Sequence, residues 1–243
     1  MLPSQPNQAL IDGLAVLQEL AVSDGPTGSR EMGRKLNLEP TRVNRLLRTL
    51  AHLGMASQTA DRKYVPGPAM HVLSAQSLFG SGLIKTAIGP LQDLERLGLV
   101  VALGVLWRDQ VCYLYHAAPG MSASVAVGRV GLFPASQSGI GHALLARMSS
   151  DDVRALYGDN LVPGYETVDA LIARLDIDRE RGWSHVAQAD TDHTSSLGVA
   201  VGDPAFTAIA LSGSIDEDNC SEYVAALTTA AKLIEAAHTG RKS

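Results

Sequence analysis

The segment from residue 32 to residue 53 has two opposed faces, and it constrains the fold of this chain more than any other feature. Its apolar residues recur at i, i+3, i+4 and i+7, which predicts an α-helix with one apolar stripe. These residues are Val43, Leu46, Leu47 and Leu50. The opposite face holds guanidinium, amide and hydroxyl groups and no carboxylate: Thr41, Arg42, Asn44, Arg45 and Arg48. Such donors on one face are typical of a helix that contacts phosphates and base edges in a DNA major groove.

A short helix and a β-hairpin are predicted on either side of this basic helix. Residues 31–37 predict the short helix, and Pro40 suits the first turn of the basic helix that follows. Residues 55–58 and 63–65 predict two strands joined by a polar turn. A further helix beginning after Asn7 is predicted to carry an apolar stripe at Leu10, Leu14, Leu17 and Ala21. Three helices followed by a hairpin predict a winged helix-turn-helix.

The charge is distributed unevenly along the chain. The formal net charge is −5 over 243 residues. Residues 25–73 contain eight Lys and Arg against three Asp and Glu, a balance of +5, whereas residues 74–243 contain twelve against nineteen, a balance of −7. A basic N-terminal module joined to an acidic body indicates contact with nucleic acid.

Composition narrows the class of protein. With 46% hydrophobic and 19% charged residues, the chain is expected to be soluble, with one large or two smaller domains. The longest apolar run, residues 97–107, is too short to cross a bilayer, and the first residues lack the pattern of a signal peptide. Cys112 and Cys220 are isolated and have no metal-ligand spacing. A cytoplasmic protein is expected, with no membrane partner, metal or cofactor.

The remainder of the chain predicts an α+β domain built on an antiparallel sheet. Its predicted helices are 69–83, 84–97, 140–148, 151–157, 168–181 and 221–237. Its predicted strands are 100–106, 111–116, 125–130, 183–187, 197–201 and 206–212.

Four segments, in this order, resemble the IclR family of bacterial transcription regulators: LNLEPTRVNRLLRTLAHLGM, KYVPGPAMHVL, LFPASQSGIGHALLA and FTAIALSGSI. The resemblance implies a winged helix-turn-helix domain over residues 1–68, a linker helix over 69–83 and a GAF-like effector-binding domain over 84–243. It also implies operator DNA and a small-molecule effector as partners. The expected assembly is a homodimer, with a dimer of dimers as the larger alternative. Where the family usually has a capping threonine this chain has Gly28, so Ser29 or Thr27 is expected to cap the second helix.

The candidate DNA-contacting residues lie on the second helix, the basic helix and the wing. They are Ser29, Arg30, Thr41, Arg42, Asn44, Arg45, Arg48, Arg62 and Lys63. Thr41, Arg42 and Asn44 lie near the start of the basic helix, which enters a groove deepest. Arg45 is expected either to contact the phosphate backbone or to brace the fold. The alternative for the whole face is an ordinary solvated helix surface.

The candidate effector-binding residues lie in three C-terminal segments: Ser138, Gly139, Ile140 and Gly141; Asp190 and Ala200; Ser212 and Ser214. Glycines and N–H groups at a helix start, with hydroxyls at period two on a strand, offer neutral hydrogen-bond donors. The segment around Gly139–Gly141 and the segment around Ser212 and Ser214 are both poor in Lys and Arg. A small organic acid, in particular an aromatic one, is therefore expected rather than a phosphorylated sugar. The alternative for the glycines is tight helix–sheet packing.

Together these features predict a DNA-binding transcriptional regulator without catalytic chemistry. Two alternatives remain at this point. One is a small-molecule sensor or enzyme whose winged helix contacts protein. The other is a regulator that has lost ligand binding, because residues 188–202 depart from the family pattern.

Overall fold

The computed structural model describes residues 5–127, 131–187, 194–215 and 217–239. It divides into two compact units, Met1–Ser81 and Gly82–Ser243. Among the described residues, none of the helices combines the length and apolarity needed to cross a bilayer.

The first unit is a winged helix-turn-helix followed by one more helix. Its elements are α1 (Gln8–Val22), α2 (Ser29–Leu36), α3 (Pro40–His52), β1 (Ala56–Gln58), β2 (Tyr64–Pro66) and α4 (Pro68–Ser81). The strands form an antiparallel hairpin, and its core residues are Val16, Leu20, Met32, Val43, Leu47, Ala56 and Tyr64. The predicted three helices and hairpin are confirmed.

Local sequence explains where α1 and α3 begin in this unit. The Asn7 side chain accepts a hydrogen bond from the Leu10 N–H at the start of α1, and Pro40 is the first residue of α3. The cap predicted for α2 is wrong. Gly28 occupies the N-cap without a side-chain hydrogen bond, and the Thr27 hydroxyl donates to the Gly25 carbonyl instead.

The apolar stripe predicted for α1 does not face the core. Leu10 and Leu14 are 60% and 46% exposed, whereas Asp12, Val16 and Leu20 are buried. The buried residues recur at i, i+4 and i+8 and include a carboxylate, which a search for apolar residues passes over. An ion pair described below allows that carboxylate to be buried.

The second unit is built on a six-stranded antiparallel sheet in the order β5-β4-β3-β8-β7-β6. The strands are β3 (Val100–Trp107), β4 (Gln110–Ala117), β5 (Leu132–Pro134), β6 (Ser184–Ala187), β7 (Thr194–Val201) and β8 (Thr207–Ser214). The helices are α5 (Leu83–Glu95), α6 (Ala123–Ala126), α7 (Gly139–Leu145), α8 (Ser150–Tyr157), α9 (Val168–Arg181) and α10 (Glu217–Thr239). The predicted α+β class is confirmed.

Helices cover both faces of this sheet. On one face α5 and α10 pack against alternate residues of the central strands, such as Leu103 and Ile209. On the other face α7, α8 and α9 pack against the intervening residues, such as Ala102 and Ala208. The small residues on this second face leave room for α7 and for the cavity described below.

The strand predicted over 125–130 is wrong in its described part. Residues 123–126 form the short helix α6, and Val127 makes a single isolated bridge to Tyr115. The edge of β4 is paired instead by β5, whose three residues lie opposite 110–112. An apolar, β-branched sequence alone does not decide which segment pairs with an available edge.

Candidate nucleic-acid interface and ligand cavity

Helix α3 separates its apolar and polar faces as the sequence predicts. Val43 and Leu47 are buried in the core of the first unit. The residues on the opposite side are all exposed: Thr41, Arg42, Asn44, Arg45 and Arg48. The Arg45 and Arg48 guanidinium groups contact no carboxylate in the described part of the chain. Their charges therefore remain available to an anionic partner.

Arg42 differs from the other arginines of α3, because it also stabilises the fold. Its Nη2 atom lies 2.5 Å from Oδ2 of Asp12, whose side chain is only 6% exposed. The pair ties α3 to α1 and balances a carboxylate that would be costly to bury alone. The Arg42 side chain is still 43% exposed, so one edge of its guanidinium faces solvent.

The other predicted DNA-contacting residues lie on α2 and on the wing. Ser29 is half-buried at the start of α2, and Arg30 is exposed beside it. On the wing Arg62 and Lys63 are exposed, and Lys63 Nζ lies 3.9 Å from a carboxylate oxygen of Asp61. A hydrogen bond from the Thr59 hydroxyl lowers the pKa of Asp61, so this carboxylate is ionised at neutral pH.

A cavity of about 340 Å³ opens on the α7 face of the sheet in the second unit. Its lining comes from five strands and from the segment that leads into α7. The lining residues are Val100, Ala102, Tyr113, His116, Phe133, Gln137, Ser138, Gly139, Thr194, Ser196, Ala210, Ser212 and Gly213. None of these described residues is Lys, Arg, Asp or Glu.

The structure brings some of the predicted effector residues together and separates others. Ser138, Gly139 and Ser212 line the cavity, while Ile140 and Gly141 are buried in α7 behind it. Ser214 is exposed and does not line the cavity. Ala200 lies further along β7, beside the later residues of α7. Asp190 lies outside the described residues.

Hydroxyl groups in the cavity form two pairs. The Ser212 hydroxyl donates to Oγ of Ser196, with 2.9 Å between the oxygens, and these residues lie opposite each other on β8 and β7. The Tyr113 and Ser138 hydroxyl oxygens are 3.1 Å apart. Burial raises the pKa of Tyr113, so its phenol keeps its proton at neutral pH. Ser138 Oγ also accepts the Gly141 N–H, which is therefore not available to a ligand.

Glycines on β7 and at the start of α7 permit α7 to approach both β7 and the turn that precedes α7. A Cβ atom on Gly198 would lie 2.3 Å from the Gly139 carbonyl oxygen, and one on Gly141 would lie 2.1 Å from the Ala135 carbonyl oxygen. The Ser184 hydroxyl donates to the Gly139 carbonyl at 2.6 Å. Packing thus requires these glycines, and Gly139 lines the cavity as well.

The second unit also carries the signature of a known family. Residues 75–237 match the family model described as bacterial transcriptional regulator IclR C-terminal. The chain belongs to the IclR family.

Individual IclR-family proteins are similar to this chain over nearly its whole length. The HTH-type transcriptional regulator KdgR of Escherichia coli K12 is 28% identical over 251 residues, which cover 97% of this chain and 95% of KdgR. A structure of an IclR transcriptional regulator from Silicibacter sp. TM1040 has a TM-score of 0.80 at 21% identity, covering 95% of this chain and 96% of the other. An IclR homolog from Microbacterium hydrocarbonoxydans, complexed with 4-hydroxybenzoate, has a TM-score of 0.69 at 18% identity, covering 96% and 99%.

These relatives confirm the family and the class of protein expected from the sequence. They are named regulators or repressors of transcription, so the chain is a member of a family of regulators and not of enzymes. The second unit corresponds to the C-terminal domain of IclR-family regulators.

Several cavity residues of this IclR-family domain were missed by sequence analysis. Ser196 could have been found from Ser212, because the two pair across neighbouring strands. His116 could not be found from alternation. Between β3 and β4 the register shifts so that Leu103 pairs with Tyr115 and Gly104 with Tyr113, which leaves Leu114 as an extra residue. This bulge places Tyr113 and His116 on the same face.

A buried contact between a histidine and an aspartate joins α7 to α9 in the same domain. His142 Nδ1 lies 2.9 Å from Oδ2 of Asp178, and both side chains are fully buried. His142 Nε2 lies 2.9 Å from the Ser136 carbonyl oxygen, so this nitrogen donates the hydrogen bond to it. Asp178 also accepts from Arg181 at 2.5 Å. The pair holds the segment that lines the cavity against α9.

Proposed function

We propose that this IclR-family chain binds operator DNA through its winged helix and that a small organic acid, in particular an aromatic acid, modulates this binding. The observation that carries the DNA part is the exposed face of α3, on which Arg45 and Arg48 have no carboxylate partner among the described residues. Anionic phosphates and purine edges are the partners that such a face fits. Ser29, Arg30, Arg62 and Lys63 would add contacts from α2 and the wing.

The proposed organisation is a DNA-binding domain over residues 1–68, a linker helix over 69–83 and an effector domain over 84–243. A homodimer in the cytoplasm would present two winged helices to two half-sites of an operator. An effector that binds one arrangement of the effector domains more tightly would then shift operator affinity by linkage.

The cavity supports the proposed class of effector. Its volume of about 340 Å³ suits a molecule of one ring. Aromatic side chains, Tyr113 and Phe133, lie on one side, and the hydroxyls of Ser196 and Ser212 lie on another. A phosphate ester would lack the Lys or Arg that usually binds it, at least among the described lining residues. The 4-hydroxybenzoate bound by the Microbacterium relative belongs to the proposed class.

The DNA proposal is tested with a duplex that the parental protein selects from random sequence. We expect Asn44→Ala to weaken binding to this duplex by about 1–3 kcal/mol and to relax its sequence preference, because a base contact is lost. Lys63→Ala should weaken binding to all duplexes. It should also make the binding constant depend less steeply on salt concentration, by an amount that corresponds to about one lost phosphate contact. Lys232→Ala, an exposed lysine of α10, is the matched control. Failure to select any duplex, or equal binding by all variants, would refute the proposal.

A further inference from the structure

The two serines that pair across β7 and β8 have more hydroxyl protons than their shared hydrogen bond uses. A serine hydroxyl has one proton to donate and two lone pairs that accept. The Ser212 hydroxyl donates its proton to Oγ of Ser196, at 2.9 Å. The Ser196 hydroxyl accepts this bond and donates to no acceptor among the described residues. One proton of the pair is therefore left for a ligand.

The position of Ser196 makes this proton costly to leave unpaired. Ser196 lines the cavity, and only 6% of it is exposed. Its Oγ lies against the start of α7, since a Cβ atom on Gly139 would be 2.4 Å from it. A donor that is buried without a protein acceptor costs free energy. A ligand that places an acceptor beside Ser196 gains a hydrogen bond that folding leaves unmade.

The second hydroxyl pair of the cavity has the same excess of one proton. The Tyr113 and Ser138 oxygens are 3.1 Å apart, and whichever of the two hydroxyls donates, the proton of the other remains. The bond from the Gly141 N–H to Ser138 uses a lone pair and no hydroxyl proton. Ser138 precedes Gly139, so the two pairs meet at the start of α7. Among the described lining residues there is no Asp or Glu to accept these protons.

We propose that Ser196 is the specificity-determining residue of the cavity, and that its hydroxyl donates to one carboxylate oxygen of an aromatic acid while the Tyr113–Ser138 pair donates to the other oxygen. The inference rests on the proposed function, because it assumes that the effector is an acid. A carboxylate fits two such donors, since it has two oxygens that accept and no proton that competes. Ser212 is a positioning residue, because its donation to Ser196 polarises the hydroxyl that contacts the ligand.

The test measures calorimetric binding of two probes to the full-length protein: 4-hydroxybenzoate and its neutral analogue 4-hydroxybenzamide. The parental protein should prefer the acid. We expect Ser196→Ala to lose about tenfold in affinity for the acid and about threefold for the amide, because a hydrogen bond to a charged acceptor is roughly twice as strong as a neutral one. Ser196→Cys keeps the shape of the side chain but donates weakly, so it should also lose more affinity for the acid than for the amide.

Two neighbouring serines provide the controls. Ser195 is as buried as Ser196, but it does not line the cavity and its hydroxyl has no hydrogen-bond partner among the described residues. Ser195→Ala is therefore the matched control and should bind both probes like the parent. Ser212→Ala should lose less affinity for the acid than Ser196→Ala, because Ser196 keeps its proton and its place beside Gly139.

The outcomes separate this inference from the proposed function. If the parent prefers the acid and both Ser196 variants keep that preference in full, another group binds the carboxylate and the inference is wrong, while the proposed effector class stands. Equal losses for acid and amide would show that Ser196 only shapes the cavity, and a larger loss in Ser212→Ala would make Ser212 the contacting donor. Either result overturns the inference. If the parent binds neither probe, or both equally, the aromatic acid proposed as effector fails and the inference falls with it.

Discussion

Arg42 shows how one side chain on an exposed helix face can serve both stability and recognition. Its guanidinium balances the buried Asp12 carboxylate on α1, and its other edge remains in solvent on the face of α3 that we propose contacts DNA. A mutation at this position therefore cannot be interpreted as a lost DNA contact alone. Asn44, on the same face, is exposed and carries no charge that could balance a buried carboxylate.

We predict that Arg42→Ala destabilises the first unit by about 1–3 kcal/mol, because a buried carboxylate loses its partner. Hydrogen exchange in α1 measures this directly and should become faster in Arg42→Ala but not in Asn44→Ala. The double variant with Asp12→Asn and Arg42→Ala should recover slow exchange without recovering DNA affinity. Unchanged exchange in Arg42→Ala would show that the ion pair contributes nothing to stability.

A second residue makes stability depend on pH. Burial, together with Arg181 and Arg174, lowers the pKa of His185 below its usual value of 6.5. The unfolded chain therefore binds a proton in a range of pH where the folded chain does not, so the free energy of unfolding rises with pH there. The contribution is complete above 6.5 and declines as the pH falls below that value towards the folded pKa.

We predict that His185→Gln flattens the pH dependence of the free energy of unfolding just below pH 6.5. Urea titrations at a series of pH values provide the measurement. His71→Gln, which removes an exposed histidine, should keep the parental slope. The same slope in the parent and in His185→Gln would mean that this histidine is not the group that titrates.

At the scale of elements, α7 packs closely on β7, and glycine makes this packing possible. A Cβ atom at Gly198 would lie 2.3 Å from a backbone carbonyl oxygen of Gly139, which cannot move without shifting the helix. We predict that Gly198→Ala lowers the stability of the second unit by about 1–3 kcal/mol, the range for overpacking. Tryptophan fluorescence reports this unit specifically, because Trp107 and Trp183 both belong to it.

Gly89→Ala is the matched control for this packing. Gly89 is exposed on α5, with nothing within 4 Å of an added Cβ atom. Alanine there should stabilise the helix by about 0.5–1 kcal/mol. If Gly198→Ala unfolded at the same urea concentration as the parent, the contact between α7 and β7 would be looser than the structure shows.

The elements that the sequence predicts correctly have strong local signals. Thr167 caps α9 by accepting the Ala170 N–H, and Gly182 ends it in a left-handed conformation, as the residue types suggest. The errors arise where partners distant in sequence decide the outcome. Asp12 is buried because Arg42 lies opposite it. His116 faces the cavity because of a bulge in β4 that no local sequence pattern predicts. Binding sites depend on such distant partners, so the candidate site was predicted less completely than the fold.

At the scale of the whole molecule, helix α4 is difficult to explain in a single chain. It spans Pro68–Ser81, contains no charged residue and buries none of its side chains. Leu73 and Phe79 are 52% and 83% exposed. Isolated helices of this length are marginal in water, and their stability usually comes from packing. A second copy of the chain would supply that packing and would also bring two winged helices to one operator.

We therefore predict that the protein is a homodimer, or a dimer of dimers, and that the face of α4 near Met70, Leu73 and Ser77 contributes to the contact. Leu73→Glu should shift the protein towards monomer in light scattering at micromolar concentration, because burying an unpaired carboxylate in an apolar interface is costly. Ala75→Glu places the same charge on the opposite side of α4 and should leave the assembly intact. The dimeric parent and Ala75→Glu should bind a two-site operator more tightly than Leu73→Glu, because the two winged helices of a dimer bind it together. A monomeric parent, with and without operator, would rule out this assembly, and equal effects of the two glutamates would place the contact elsewhere on α4.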